Sequence, residues 1–406
     1  MSATQVDVAI IGGGMVGASL AVALAGTGVS TMLVEGTAPG TATQPSFDDR
    51  TTALGNASRR IFQGLSVWER LEPSAAAIRV IHVSDAGHFG FARLIAAEQG
   101  IEAFGYVISN RVIGAALWEK LQRSAEVLLR VPARPEQVQI SESEVRFVLG
   151  GDSVSARLVV AADGAHSVVR AAARIEADVE DYDQVAIVAN VAADRPHDGT
   201  AYERFTRTGP LAVLPLQDGS YGVIWACSPE RAAEVLSFDD ATYLRELQER
   251  FGWRAGRFVR AGLRASYPLK LTRATSTVAP RTVLIGNAAQ ALHPVAGQGF
   301  NLGLRDAAML AEVIAGAQGD VGSPELLNRF AAWRAGDRSG VVRFTDGLVK
   351  LFSDARPGVS LLRNLGLLVF DLAPPAKSAL ARVSAGFAGP TPRLARGLPL
   401  RPSSHA

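Results

Sequence analysis

Val6 to Ile11 reads VDVAII, and Gly12-Gly13-Gly14-Met15-Val16-Gly17 follows it directly. The first stretch is an apolar run of strand length. The second is G-x-G-x-x-G with one extra glycine. ASLAVALAGTG then reads as an Ala-rich helix stopped by Gly26 and Gly28. Thr31-Met32-Leu33-Val34 is a second strand with Glu35 at its end, 18 residues after Gly17. Strand, glycine turn, helix, strand and terminal acid form one βαβ unit that binds a dinucleotide. Gly12 permits the tight turn, Gly14 lets a pyrophosphate approach the backbone, and Gly17 lets helix and strand pack closely. The helix N-terminus offers unpaired N–H groups to phosphate. Glu35 can accept both hydroxyls of a ribose and would repel a 2′-phosphate.

Two further clusters repeat the theme of a strand ending at a polar turn. Val159 to Arg170 reads VVAADGAHSVVR, which places Asp163-Gly164 at the carboxyl end of a strand, where α/β sheets bind ligands. Thr282 to Ile285 is a strand, followed by Gly286-Asn287, His293-Pro294, Gly297-Gln298-Gly299, Asn301 and the helical LGLRDAAMLAEVIAGA. A Pro/Gly-rich loop there feeds a helix N-terminus, whose positive end suits developing negative charge on a ligand.

The remaining composition narrows the class. Lys plus Arg is 41 and Asp plus Glu is 39, so nothing favours nucleic acid, whose binding needs phosphate neutralisation. One cysteine, Cys227, rules out an intrachain disulfide or a cysteine zinc site and reads as a small buried residue. The N-terminus lacks a basic region before its apolar run. The most membrane-like stretch, Leu361 to Ala376, contains Arg363 and Asp371. A cytoplasmic protein of two or three domains is the expectation. Strands are expected at 184–191, 211–216 and 221–226, the last two as a hairpin. Helices follow Arg343. Basic residues from Lys377 to Arg401 suggest a weak contact with an anionic leaflet, a solvated tail being the alternative.

Together the clusters resemble the FAD-dependent aromatic hydroxylases, the p-hydroxybenzoate-hydroxylase-like flavoproteins. The carriers are GGGMVG, AADGAHSVVR and GNAAQALHPVAGQGFNLGLRDA, within residues 5–350. The broad family has Gly-Asp where this chain has Gly286-Asn287. Asn at that place, with FDDRTTAL (47–54) and HVSDAGHFGF (82–91), is similar to the branch of 2-polyprenyl-6-methoxyphenol hydroxylases of ubiquinone biosynthesis, although Ala86 stands where an Arg is more usual.

The resemblance implies an α/β fold: a Rossmann-like FAD-binding domain, an antiparallel-sheet substrate domain of α+β character and a C-terminal helical segment. The expected FAD-binding parts are 1–75, 105–178 and 272–345, with a substrate-binding sheet domain from 76–104 and 179–271. Helices at 346–390 and a flexible basic tail at 391–406 complete the chain. The implied cofactor contacts are Gly12, Gly14, Gly17, Glu35, Arg50, Arg111, Asp163, Gly286, Asn287, Pro294, Gly297, Gln298, Gly299 and Asn301. Arg50 and His293 are the catalytic candidates. Arg50 could instead pair with Asp48 or Asp49, and His293 could merely order its loop. His82 and His88 fall in a polar loop on the substrate side.

The implied chemistry is reduction of FAD by NADPH or NADH, then reaction with O2 and ring hydroxylation through a C4a-hydroperoxyflavin. The implied substrate is a polyprenyl methoxyphenol. A ubiquinone-biosynthesis protein complex and peripheral contact with the inner face of the cell membrane follow from the same resemblance. A hydroxylase acting at another ring position, or a non-catalytic FAD-bound subunit, is the alternative.

Overall fold

The computed structural model describes residues 4–41, 50–293, 297–353, 356–387, 389 and 391–400. The first βαβ unit forms as its sequence dictates: the strand Thr4–Ile11, the helix Met15–Leu24 and the strand Thr31–Val34. Every helix residue from Gly17 to Leu24 is buried, as expected for a helix that is apolar all round. Thr4–Ile11 lies mid-sheet. Thr31–Val34 and then Val127–Arg130 extend the parallel sheet on one side, and Asp152–Ala161 and Thr282–Leu284 extend it on the other. The chain therefore reverses its direction of sheet growth between Thr4–Ile11 and Asp152–Ala161. That switch point is where a doubly wound sheet leaves a crevice for ligand. Val8 and Ile10 face one apolar layer, and Ala9 and Ile11 face the other, so both sides of the sheet are covered.

A second sheet has nine strands. Its centre runs in the order Ala265–Ala274, Ala177–Ala193, Tyr221–Cys227, Gly209–Pro215, Thr200–Thr206, Val80–Asp85 and Phe91–Ile95. The expected strands at 184–191, 211–216 and 221–226 all lie in it. The expected hairpin pairs Leu211 with Trp225 and Pro215 with Tyr221, antiparallel. Alternation does the rest. Ile187, Val223 and Trp225 face the helices Pro229–Ser237 and Asp240–Phe251, while Ala186, Val188 and Ile224 face a cavity. Cys227 is buried with the first group. The small sheet Thr51–Gly55, Gly105–Ser109 and Ala76–Ile78 stands between the two large ones in the chain's path.

The helices Pro324–Ser353, Pro357–Asp371 and Pro374–Ser384 follow. No described helix is long and apolar enough to cross a membrane. Of the tail expected to be flexible from residue 391, 391–395 is packed and 396–399 is exposed. Leu394 and Ala395 are buried in the main core, and Arg393 N–H donates to Glu312 Oε2 at 2.6 Å. Two apolar side chains in one short turn outweigh the solvation of the basic residues beside them. Residues 401–406 lie outside the described residues.

Candidate functional site: a dinucleotide crevice opening on an apolar chamber

The glycine turn sits at the switch point. Gly12 has φ +106°, and a Cβ there would lie 2.4 Å from Ala162 O. A Cβ on Gly17 would lie 1.9 Å from Gly12 O. Backbone thus meets backbone with no room for a side chain. Gly14 caps the helix without any side-chain hydrogen bond, so the first helical N–H groups face the crevice. Glu35 bridges the turn: Oε2 accepts from Gly13 N–H at 2.6 Å and Oε1 from Thr37 N–H at 2.8 Å. Trp118 Nε1 donates to Gly13 O at 3.0 Å from the other side. Glu35 lines the crevice, and each of its oxygens has acceptor capacity beyond the one bond it makes here.

Asp163 enters from the next strand. Its Oδ2 accepts from Val168 N–H at 2.8 Å, while Oδ1 is buried and has no hydrogen-bond partner. Burial pushes its carboxyl pKa up. A buried acceptor with nothing to accept is costly unless a ligand donates to it. The third cluster packs directly on the first: a Cβ on Gly286 would touch Val16 at 3.2 Å, and Gly303 approaches the same Val16 more closely still. Arg170 ties the second cluster to the third, donating to Ala165 O at 2.6 Å and Ala288 O at 2.9 Å. Asn287 is exposed to the cavity. Gly297, at φ +59°, caps the helix Gln298–Ala315, and Gly299 has open space where a Cβ would be.

Several residues play different parts from those expected. Asn301 lines the crevice, but its amide is saturated. Oδ1 accepts from Gly55 N–H and Ser58 Oγ, and Nδ2 donates to Ala53 O and Gly297 O. It fixes the loop against the small sheet and has no donor or acceptor left for a ligand. Arg111 is exposed and off the cavity wall; its neighbour Asn110 lines it. His293 is 1% exposed and also off the wall. Burial lowers its pKa to about 4, and it contacts Gln184 Oε1 at 3.3 Å and the edge of Tyr182. An enclosed imidazole with these partners suits the loop-ordering alternative for His293. His82 belongs to the strand Val80–Asp85 rather than to a loop, stacks on Phe91, and is also lowered to about 4, first by burial. Arg50 does line the cavity, with its guanidinium 4.5 Å over the Tyr267 ring. Pro294, Asp48 and Asp49 lie outside the described residues.

The support behind the third cluster was not anticipated. Asp306 Oδ2 accepts from Gly286 N–H at 3.1 Å and from Gln290 Nε2 at 2.9 Å. Its Oδ1 accepts from Arg334 Nε at 2.6 Å, and Arg334 also pairs with Asp337, which in turn holds Arg305. Arg334 is 1% exposed. The hint was Arg305-Asp306 inside an otherwise apolar helix, a pair that is rarely buried unless matched.

Gly12, Glu35, Arg50, Asp163, Asn287 and the Gly297–Gly299 turn border one cavity of about 1530 Å³. That exceeds the usual range for one small ligand, so a dinucleotide and a second molecule fit together. From the Gly12 crevice it runs past Asn110 and Tyr267 to an apolar chamber walled by Ile81, Val83, Leu94, Phe205, Leu214 and the C-terminal helices. The close backbone, the orphaned Asp163 oxygen and the Glu35 carboxylate suit FAD.

A family model described as an FAD binding domain matches residues 5–345. The ubiquinone hydroxylase UbiL of Rhodospirillum rubrum is 38% identical over 402 residues, covering 97% of this chain and 93% of that protein. The 3-demethoxyubiquinol 3-hydroxylase of Escherichia coli is 32% identical, covering 92% of this chain and 96% of that protein. The crystal structure of p-nitrophenol 4-monooxygenase PnpA from Pseudomonas putida shares the fold, with a TM-score of 0.79 at 19% identity over 95% of this chain and 99% of that one. With its glycine crevice, its orphaned aspartate and an apolar chamber alongside, the chain belongs to the FAD-binding family of aromatic-ring hydroxylases, and FAD is its cofactor.

Proposed function

We propose that the protein hydroxylates the aromatic ring of a polyprenyl methoxyphenol in ubiquinone biosynthesis, with NADPH or NADH as reductant and O2 as oxidant. The observation that carries this reading is the continuity of the cavity: a dinucleotide crevice opens without a wall into an apolar chamber. Relatives named as ubiquinone hydroxylases supply the pathway.

Bound FAD supplies the electron chemistry of oxygen activation, which amino-acid side chains lack. The chain's own part is to hold and to shield. Gly12 and Gly17 let the turn close on itself, and Gly14 opens the helix N-terminus that would receive the pyrophosphate. Glu35 takes the ribose, and Asp163 Oδ1 accepts a hydroxyl from the cofactor. Asn287, with Asp306 fixing its turn, holds the chain leading to the ring, an amide replacing the usual carboxylate without loss of hydrogen bonding. The Gly297–Gly299 backbone faces the ring end. Arg50, pinned on Tyr267, contacts the cofactor at the boundary between crevice and chamber. Ile81, Leu94 and Leu214 exclude water from the reacting ring and leave the prenyl tail in an apolar channel.

The proposal extends to a complex with other ubiquinone-biosynthesis proteins and to a peripheral contact with the inner face of the cell membrane. The test is product analysis. The FAD-loaded protein, a polyprenyl methoxyphenol, NADPH and O2 should yield one new ring hydroxyl, located by mass spectrometry and NMR. NADPH oxidation with no hydroxylated product would defeat the assignment. A hydroxyl at another ring position would keep the reaction and change the substrate. Arg50→Ala should slow turnover while leaving the unfolding midpoint unchanged.

A further inference from the structure

The helix Pro357–Asp371 has its polarity turned inside out. Its buried residues include Arg363 and Asn364, 9% and 1% exposed. Leu362, Leu365 and Val369 stand 71%, 45% and 67% exposed, and Leu372, just past the helix, 82%. Their spacing of three and four residues puts them on one face. The buried polar pair is fully engaged. Asp85 Oδ2 accepts from Arg363 Nε at 2.9 Å, Arg363 Nη2 at 2.6 Å and Asn364 Nδ2 at 3.0 Å. Gly90 N–H donates to Asn364 Oδ1 at 2.8 Å. A helix facing water buries its leucines and exposes its arginine. This one turns Leu367 and Phe370 inward, yet it also buries Arg363 and Asn364 and leaves Leu362, Leu365 and Val369 outward, which fits an apolar medium outside.

The outer face also ends at an opening. Leu362 and Leu351, the latter 45% exposed, both line the cavity. The apolar chamber therefore reaches the surface within the leucine stripe. Arg363 and Asp371 are the only charged residues from Pro357 to Ala376, and Asp371 is paired with Lys377 at 3.1 Å. Leu362, Leu365, Gly366, Val369 and Leu372 have no side-chain donor or acceptor, whereas protein interfaces of standard size carry many hydrogen bonds. A face of this kind suits hydrocarbon.

We infer that this face docks on a lipid bilayer, with the helix lying in the interface, and that the Leu351–Leu362 mouth passes a prenyl-bearing substrate between bilayer and chamber. At 15 residues the helix is about 22 Å long, too short to span. Passage of substrate rests on the function proposed above; docking does not. The contact differs in kind from the basic-tail contact the sequence suggested: it rests on the apolar side chains of the helix Pro357–Asp371 rather than on cations, and Lys377 is 9% exposed and paired with Asp371. Apolar docking is insensitive to salt, whereas a basic patch is screened.

The experiment is flotation of the FAD-loaded full chain with phosphatidylcholine vesicles at low and high salt, without substrate. The wild type floats at both. The triple variant Leu365→Gln, Val369→Gln, Leu372→Gln, none of them on the cavity wall, loses vesicle binding by roughly tenfold or more. Its flavin spectrum and its NADPH oxidation with a short-tailed soluble phenol stay unchanged. Should the triple variant lose its flavin, Leu372→Gln, outside the helix, gives a smaller graded loss. A wild type that fails to float, that floats only with anionic lipid at low salt, or whose stripe is covered in a dimer that the triple variant dissociates, overturns the inference. Failure of the hydroxylase reading would show in the product assay with flotation intact.

Discussion

The two ends of the cavity are built by opposite means. At the nucleotide end, backbone approaches backbone and side chains are removed: Gly12 and Gly17 leave no room even for a Cβ. At the substrate end, a hairpin and a helix are joined by buried charge, Asp85 against Arg363 and Asn364. The first device is local and rigid. The second joins residues 278 positions apart and depends on every partner being present. Charge also appears behind the flavin loop, in the Asp306–Arg334–Asp337 cluster, but there it supports the glycine turn and stands off the cavity wall.

The largest effect should come from Gly12→Val. A β-branched residue at φ +106°, pressed on Ala162 O, should prevent the βαβ unit from closing. The purified protein should be colourless and aggregate, as read by absorbance and size exclusion. A yellow, soluble variant would break the claim that backbone contact builds this end.

Next is Arg334→Met. It leaves Asp306 buried without its cation and Asp337 with Arg305 alone, a loss of about 3–5 kcal/mol in denaturant unfolding. The flavin should also be held more weakly, because Gly286 loses its fixed partner. Lost stability with unchanged flavin affinity would separate the cluster from the site.

The histidines give a comparable effect, one at each end. His293 and His82 are both lowered to about 4 from 6.5, so the folded form keeps the neutral ring. Below about pH 6.5 the unfolded chain takes up a proton that the folded chain refuses. Their stabilisation is therefore complete above pH 6.5 and is lost as pH falls toward 4, by up to about 3 kcal/mol each. His293→Gln should flatten that slope in melting curves between pH 4 and 7; an unchanged slope would place the titration elsewhere.

The smallest is Asp85→Asn, at roughly 1–3 kcal/mol. The amide keeps a hydrogen bond but loses the charge facing Arg363. Flavin spectrum should be normal, while KM rises for long-tailed phenols more than for short ones. An equal change for both substrates would show that the helix does not shape the tail channel.

Much of the nucleotide end was legible because its constraints are local. A glycine demanded by a turn lies beside the strand that ends there, so GGGMVG, Asp163 and Gly286-Asn287 could be placed together. Side-chain direction was not legible from a motif. His293 and Asn301 sit within the third cluster, yet one is enclosed against Gln184 and Tyr182 and the other spends its amide on the chain. Arg111 and Asn110 are adjacent, and it is Asn110 that lines the cavity. The substrate end was less legible. HVSDAGHFGF marked a branch but gave no reason for itself, since Asp85 and Gly90 find their partners in a helix far along the chain. Leu361 to Ala376 looked like an interrupted apolar run; with Arg363 and Asp371 both paired, the interruption is internal and the outside is apolar.

The most direct test is a turnover with isotopically labelled O2 and a polyprenyl methoxyphenol, scoring label in the product against NADPH consumed. One labelled ring hydroxyl per NADPH would show crevice and chamber working as one site. NADPH consumption that yields only hydrogen peroxide, with the phenol bound but unchanged, would contradict the account.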